Sequence, residues 1–208
     1  MTHPEPHSIH PSPTSPPPHG RALLAALYRA AVAGVAPAPL TKAALSDLGG
    51  GPERRVWLFA LGKAAHAMAA GAVEALRGSP QSIVGGLIVA PELAPAPAGT
   101  VEVVRGDHPL PGPRSQAAAN RIGEVAARVH ADDLALVLIS GGTSSLVAAS
   151  PPGVSGDDVT RLFLLLMNAG LDIHAMNAVR KRFTRWGAGR LALALAPART
   201  RVLVISDV

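Results

Sequence analysis

Cysteine is absent from the 208 residues of this chain. Without a thiol the chain has no disulfide framework, no thiolate zinc site and no cysteine nucleophile. A chain without cysteine fits a reducing compartment, so we expect a cytoplasmic protein.

Aromatic residues are scarce, at 3% of the chain, whereas hydrophobic residues of all kinds make up 48%. The core must therefore be built from Ala, Val and Leu, which favours helices packed closely on a sheet. The formal charge is +5, and the only lysines are Lys42, Lys63 and Lys181. No long basic run is interleaved with aromatic residues, so nucleic acid is not expected as a partner.

Long apolar runs are missing as well. No stretch approaches the roughly 18 uninterrupted apolar residues of a membrane span. The N-terminus lacks the charged start and the apolar segment of a signal peptide. We therefore expect a soluble, intracellular protein with no membrane partner.

Residues 1–20 are dominated by Pro, His and Ser. Such a composition buries too little apolar area to offset the entropy of ordering, so we predict a disordered tail. The remaining residues, 21–208, are enough for one α/β domain with a core of its own.

Continuous apolar runs alternate with helical patterns in residues 21–208. An opening helix is predicted over Arg21–Val35, and the strand Val56–Leu61 leads directly into an Ala-rich helix at Lys63–Leu76. Because the runs are continuous, the strands are expected to be covered on both faces. The pattern predicts a doubly wound, mostly parallel, Rossmann-like α/β sheet with helices on both faces. The further predicted strands are Gly86–Ala90, Val101–Val104, Leu134–Ile139 and Val202–Ser206, and the further helices are Arg114–His130, Asp157–Asn168 and Ile173–Phe183.

Lys63 lies at the turn between the first strand and its helix. In an open parallel sheet, ligands bind beyond the carboxyl ends of the strands, where helix N-termini attract anions. Gly62 allows a tight turn, and a cation at the start of a helix opposes the helix dipole unless an anion is bound nearby. Lys63 is therefore a candidate functional residue; the alternative is a surface lysine with its ammonium group in water.

A loop of small residues follows the strongest predicted strand. Its glycines and hydroxyl groups let the backbone come close to a phosphate. It is not a Walker A loop, because no Lys-Ser or Lys-Thr follows the glycines. A plain tight turn is the alternative. The candidate phosphate-binding residues are Ser140, Gly141, Gly142, Thr143, Ser144 and Ser145.

Three further segments place charged or polar side chains at strand or helix ends. His108 lies in a loop that prolines on either side stiffen. Asn177 and Arg180 open a basic stretch that continues to Arg190, and arginine forks suit phosphate or carboxylate groups, although a solvated helix face is the alternative. Asp207 ends the last predicted strand, where a carboxylate can hold Mg²⁺.

Taken together and in this order, these segments resemble the glycerate 2-kinase family. The resemblance covers essentially everything after residue 20. Single motifs are weak, whereas the ordered set is specific. The matching motifs are Gly62-Lys63-Ala64-Ala65, Gly106-x-His108-Pro109-x-Pro111, Ser140-Gly141-Gly142-x-Ser144-x-Leu146, Asn177-x-Val179-Arg180-Lys181, Gly189-Arg190-Leu191-Ala192 and Ser206-Asp207-Val208.

The resemblance implies transfer of the ATP γ-phosphoryl group to the 2-hydroxyl of D-glycerate, giving 2-phosphoglycerate, with Mg²⁺ required. Lys63 matches the catalytic lysine of the family. The glycine-rich loop would then hold phosphate, and Asp207 would be the metal ligand. The residues expected to bind substrate are His108, Asn177, Arg180 and Arg190.

Family members are substantially longer and carry a second, C-terminal domain, so the resemblance implies that this chain is an incomplete N-terminal part. We expect little or no kinase activity from it alone. Arg182 and Gly187 stand where the family usually has His and Lys, and Gly112 stands where it usually has Asp. Thr143 and Ser145 replace Gly and Ala. A substrate contact at any of these positions would alter the substrate or the activity.

Two other functions remain open. A hydroxypyruvate reductase would need a dinucleotide site, but no Gly-x-Gly-x-x-Gly follows a strand with an acidic residue about twenty positions on. A noncatalytic module that binds anions or nucleotides would keep the phosphate loop and tolerate loss of Lys63.

Overall fold

The computed structural model describes residues 18–48 and 54–206. The predicted metal ligand Asp207 and residues 1–17 of the predicted tail lie outside these ranges. The five strands are β1 (Arg54–Leu61), β2 (Gln81–Ala90), β3 (Val101–Arg105), β4 (Leu134–Ile139) and β5 (Arg199–Val204). The helices are α1 (Pro18–Gly34), α2 (Pro37–Ala44), α3 (Ala65–Leu76), α4 (Pro113–Ala126), α5 (Thr143–Leu146), α6 (Gly156–Asn168), α7 (Ile173–Arg180) and α8 (Arg190–Leu195).

The strands form one sheet in the order β3-β2-β1-β4-β5, and every neighbouring pair is parallel. The predicted parallel α/β sheet is thereby confirmed. Leu61 at the end of β1 pairs with Val89 of β2 and with Ile139 of β4. The carboxyl ends of the three central strands therefore lie side by side, and the loops that follow them share one edge of the sheet.

Both faces of the sheet are covered, because successive residues of β1 point to opposite sides. Leu58 and Ala60 lie in one buried cluster with Met68 of α3. Phe59 and Leu61 lie in a second cluster together with Ile122 of α4. The doubly wound arrangement follows from these two clusters.

Small residues allow the close packing that the composition predicts. A Cβ on Gly71 of α3 would lie 2.2 Å from the carbonyl oxygen of Ala38 in α2. Ala65, Ala69 and Ala72 of α3 are completely buried. Since α3 presents almost no side-chain bulk, it lies directly on the sheet and on α2.

Helix α1 belongs to a compact unit of its own, separate from the α/β unit that begins at Pro37. It starts at Pro18, so residues 18–20 are helical and not part of a disordered tail as predicted. Leu23, Leu24 and Leu27 are all more than half exposed.

By length and composition alone, Gly20–Ala44 is long and apolar enough to cross a membrane, with a mean hydropathy of 1.5. The segment comprises two helices, since α1 ends at Gly34 and α2 begins at Pro37. Thr41 of α2 is buried, and Leu45 directly after α2 lies in the main core. The packing of α2 therefore argues for a helix of the α/β unit rather than for the second half of a membrane span.

Candidate functional site

The turn between β1 and α3 is built around Gly62. Its φ of +122° is unfavourable for any other residue, and a Cβ there would lie 2.3 Å from Oγ of Ser140. The N–H of Gly62 donates to Val89 at 3.0 Å, and the N–H of Lys63 donates to Gly141 at 2.9 Å. The turn that contains Lys63 is thus hydrogen-bonded to the loop after β4. The side chain of Lys63 is exposed where the two loops meet.

Three hydroxyl groups of the predicted phosphate loop bond within the protein. Ser140 is buried; its Oγ accepts from the N–H of Ala64 at 3.0 Å and lies 3.4 Å from the carbonyl oxygen of Leu61. Thr143 Oγ1 donates to the carbonyl oxygen of Ser140 at 2.7 Å, and Ser145 Oγ donates to Gly142 at 3.1 Å. These hydroxyls fix the shape of the loop.

The groups that the loop presents to a ligand are its backbone N–H groups and the exposed Ser144. The first hydrogen bonds typical of α5 run from the N–H groups of Ser145 and Leu146 to Gly142. The N–H groups of residues 142–144 precede these bonds. They correspond to the first N–H groups of a helix, which have no hydrogen-bond partner within the helix.

His108 lies against Gly142, so the loop after β3 joins the same site. A Cβ on Gly142 would lie 3.1 Å from Cδ2 and Nε2 of His108 and 3.3 Å from Cγ of Lys63. Partial burial, and secondarily the charge of Lys63, lower the pKa of His108. Its imidazole is therefore neutral at neutral pH and can accept a hydrogen bond or a proton.

Asp107, the residue before His108, anchors the loop after β3 to the start of α4, a role that the motif analysis missed. Its Oδ2 accepts from the N–H groups of Arg114 and Ser115 at 2.8 and 3.3 Å, and its Oδ1 accepts from Nε of Arg114 at 2.8 Å. The carboxylate thereby closes the N-terminus of α4. A Cβ on Gly112 would lie 2.8 Å from this Oδ2, so glycine at that position leaves room for the carboxylate.

Arg180 lies half-buried beside Phe163 and Met176. Its Cζ lies 4.8 Å from the centre of the Phe163 ring, and one terminal nitrogen lies 3.9 Å from Sδ of Met176. Its Nε is buried and has no hydrogen-bond partner among the residues described. Burial lowers the pKa of Arg180. A half-buried guanidinium with an unused N–H is suited to an anionic ligand.

One open cavity of about 540 Å³ unites these groups. Its wall contains His108, Arg180 and Asn177 together with the whole Ser140–Ser145 loop. The structure thus brings nine of the twelve predicted site residues to this cavity, and Lys63 adjoins it at Gly142.

Arg190 lies elsewhere. Its Nε donates to the carbonyl oxygen of Arg185 at 3.1 Å, and its guanidinium also bonds the carbonyl oxygens of Lys181 and Thr184. It closes the turn after α7, so its geometry supports a structural role. In residues 18–48 and 54–206, no group of three or more His, Cys, Asp or Glu side chains could hold a metal ion.

The chain is similar in sequence to a described protein family and to several named proteins. The family model described as "Domain of unknown function (DUF4147)" matches residues 23–208. A protein of Agrobacterium vitis that bears the name hydroxypyruvate reductase is 35% identical over 90% of this chain and 42% of its own length. A D-glycerate 2-kinase of Thermotoga maritima is 34% identical over 74% of this chain and 36% of its own.

A crystal structure of a glycerate kinase from Thermotoga maritima superposes with a TM-score of 0.79. It is 31% identical in sequence, and the match covers 92% of this chain and 45% of that protein. The present chain therefore spans less than half the length of the curated relatives that it matches.

Proposed function

This chain belongs to the DUF4147 family and has glycerate kinases among its relatives, and on that premise we propose that it is the phosphate-binding part of a glycerate 2-kinase. The proposed reaction transfers the γ-phosphoryl group of ATP to the 2-hydroxyl of D-glycerate and yields 2-phosphoglycerate. One observation carries the proposal. The carboxyl edge of the parallel sheet brings together Lys63, His108, Arg180 and the Ser140–Ser145 loop, which we call the Gly142 loop.

The proposed roles follow from the charge of each group. Phosphoryl transfer needs positioning and the neutralisation of charge on phosphate oxygens. Lys63 neutralises the transferring phosphoryl group, while the N–H groups of residues 142–144 orient it. Arg180 binds an anionic group of the substrates, phosphate or carboxylate, and the neutral His108 accepts a hydrogen bond from the substrate hydroxyl.

The requirement for Mg²⁺ stays a proposal that rests on Asp207. Kinases commonly hold this ion with carboxylates. The part of the chain that the structure describes supplies no cluster of acidic side chains at the site.

We further propose that glycerate turnover requires the additional length that the relatives possess, because the cavity is open and lies on a chain that covers under half of theirs. A cytoplasmic location is proposed as well, because a chain without cysteine fits a reducing compartment. The expected small-molecule partner is glycerate, with no role for nucleic acid.

The test combines binding and turnover for the chain, Lys63→Ala and a matched control. Calorimetry with ADP or tripolyphosphate measures binding, and a coupled assay with D-glycerate, ATP and Mg²⁺ measures 2-phosphoglycerate. Lys42→Ala is the control, since Lys42 is 55% exposed and pairs with Glu74 at 3.3 Å. We expect Lys63→Ala to weaken anion binding at least about tenfold and Lys42→Ala to leave it unchanged.

Each result decides a different part of the proposal. Turnover that depends on Lys63 would confirm the kinase and contradict the need for additional length. Anion binding that depends on Lys63, without turnover, supports the proposal as stated. Undiminished binding in Lys63→Ala would instead indicate a noncatalytic binding module.

The name of the Agrobacterium vitis relative raises a second candidate, reduction of hydroxypyruvate. The turn after β1 reads Gly62-Lys63-Ala64-Ala65, which lacks the glycine pattern of a dinucleotide site. Oxidation of NADH by hydroxypyruvate in the presence of this chain would favour the reductase over the kinase.

A further inference from the structure

A second cavity, of about 470 Å³, lies beside the cavity that contains the Ser140–Ser145 loop, and its lining has a different chemistry. We call it the apolar cavity. Its volume falls within the range of small-molecule pockets, which are mostly apolar with a few polar groups. Its wall includes Val137, Val147, Leu191, Ala192 and Val202, with Thr184, Lys181 and Trp186 at other points.

The two cavities are adjacent, because Ile139, Thr143, Ser144 and Asn177 line both of them. A ligand that occupied both would need an anionic end for the Gly142 loop and an apolar end for the neighbouring cavity. A nucleotide has this division, with its phosphates at one end and its flat base at the other.

Trp186 gives the apolar cavity a fixed aromatic wall. The indole Nε1 donates to the carbonyl oxygen of Ala119 at 2.8 Å, which holds the ring in place. The guanidinium carbon of Arg185 lies 4.7 Å from the ring centre. A ring held in this way presents an apolar surface without a further ordering cost, which favours a flat, rigid ligand group.

The polar groups of this wall suit the edge of a base. Thr184 is buried at 6% exposure, and Asn177 and Thr200 also line the cavity. Hydroxyl and amide groups both donate and accept hydrogen bonds, as the edge of a purine requires. An aliphatic ligand would use neither these groups nor the neighbouring cations.

We propose that the apolar cavity binds the purine ring of the nucleotide whose phosphates lie at the Gly142 loop. This inference rests on the proposed function, since it assigns the nucleotide its orientation in the same site.

The test fills the cavity from helix α8. Ala192 is exposed and lines the cavity, whereas Ala194, two residues later on the same helix, is exposed and is not part of that wall. Ala192→Phe is therefore the test variant and Ala194→Phe its matched control. Calorimetry with ADP and with tripolyphosphate separates the base from the phosphates.

We expect Ala192→Phe to weaken the binding of ADP at least about tenfold and to leave the binding of tripolyphosphate unchanged. Ala194→Phe should bind both ligands as the parent chain does. Unchanged ADP affinity in Ala192→Phe would overturn the inference, as would an equal loss of both ligands. Failure of the parent chain to bind ADP would also overturn it. None of these readouts depends on turnover, so selective loss of ADP binding in Ala192→Phe, together with undiminished anion binding in Lys63→Ala, would uphold the base site and contradict the kinase.

Discussion

The two ends of the β1–β4 pair handle charge in opposite ways. At the amino end, Asp133 is 2% exposed, and its Oδ2 accepts from Nε1 of Trp57 at 2.8 Å and from the N–H of His130 at 2.9 Å. Its Oδ1 lies 3.3 Å from Nε of Arg55. The protein itself satisfies this buried charge.

At the carboxyl end, the protein gathers cationic and neutral donors around open space. Arg180 has a buried Nε without a hydrogen bond to any described residue. The side chains of Lys63 and His108 both lie close to Gly142. A satisfied buried charge holds a fold together, whereas an unsatisfied one indicates a ligand. The comparison assigns stability to the amino end and binding to the carboxyl end.

The largest expected effect is on stability, from Asp133→Ala. The change leaves Trp57 Nε1 and the N–H of His130 without their acceptor, so we expect the free energy of unfolding to fall by about 3 kcal/mol. Urea denaturation measures this loss. Asp133→Asn keeps an acceptor oxygen and should lose less. A variant that unfolds no more easily than the parent would break the assignment of the amino end.

Arg180→Met tests the opposite end. Met retains the contact with Phe163 but removes the charge, so we expect tripolyphosphate affinity to fall about tenfold while stability is unchanged or higher. Arg182→Met is the control, because Arg182 is exposed on the same segment. Lower stability with unchanged affinity would make Arg180 a structural residue.

The pKa of His108 gives a smaller, pH-dependent effect. Because its pKa is below the ordinary 6.5, the unfolded chain binds more protons between the two values. The stability from neutral His108 is thus present above pH 6.5 and is lost as the pH falls through the folded pKa. A bound anion should reverse the shift and raise the pKa.

Proton NMR of the His108 ring measures both pKa values, with and without tripolyphosphate. The signal is assigned by its absence from His108→Gln. A pKa that does not move when tripolyphosphate binds would place the anion away from His108.

The smallest expected effect lies at neither end. Lys42 and Glu74 form a surface pair whose side chains are 55% and 42% exposed. Lys42→Ala should lower the free energy of unfolding by about 0.5 kcal/mol or less, and less still at high salt. If Lys42→Ala lowered the free energy of unfolding as much as Asp133→Ala does, burial would not explain why charged residues differ in their contribution to stability.

Sequence patterns predicted the strands whose surroundings are simple. The ends of β1 and β4 agree with prediction at Leu61 and Ile139, because both strands are buried continuous apolar runs. The edge strand β5 begins three residues earlier than predicted, since Arg199 and Arg201 interrupt its apolar pattern. Helix α2 is not among the predicted helices; it begins at Pro37, and proline is favoured in a first helical turn.

The site was predictable in outline but not in detail. The rule for parallel sheets indicated that Lys63, His108 and the glycine loop share an edge. Side-chain hydrogen bonds depend on partners distant in sequence, so neither the internal bonding of Ser140 nor the turn-closing role of Arg190 could be predicted. The contribution of Asp107 had a local signal, an acidic residue shortly before the proline that starts α4.

The most direct test of the central claim is a crystal structure of this chain with ADP bound. The account predicts the terminal phosphate against the N–H groups of residues 142–144, within reach of Lys63 and Arg180. A phosphate bound elsewhere on the chain, with these groups left in solvent, would contradict it.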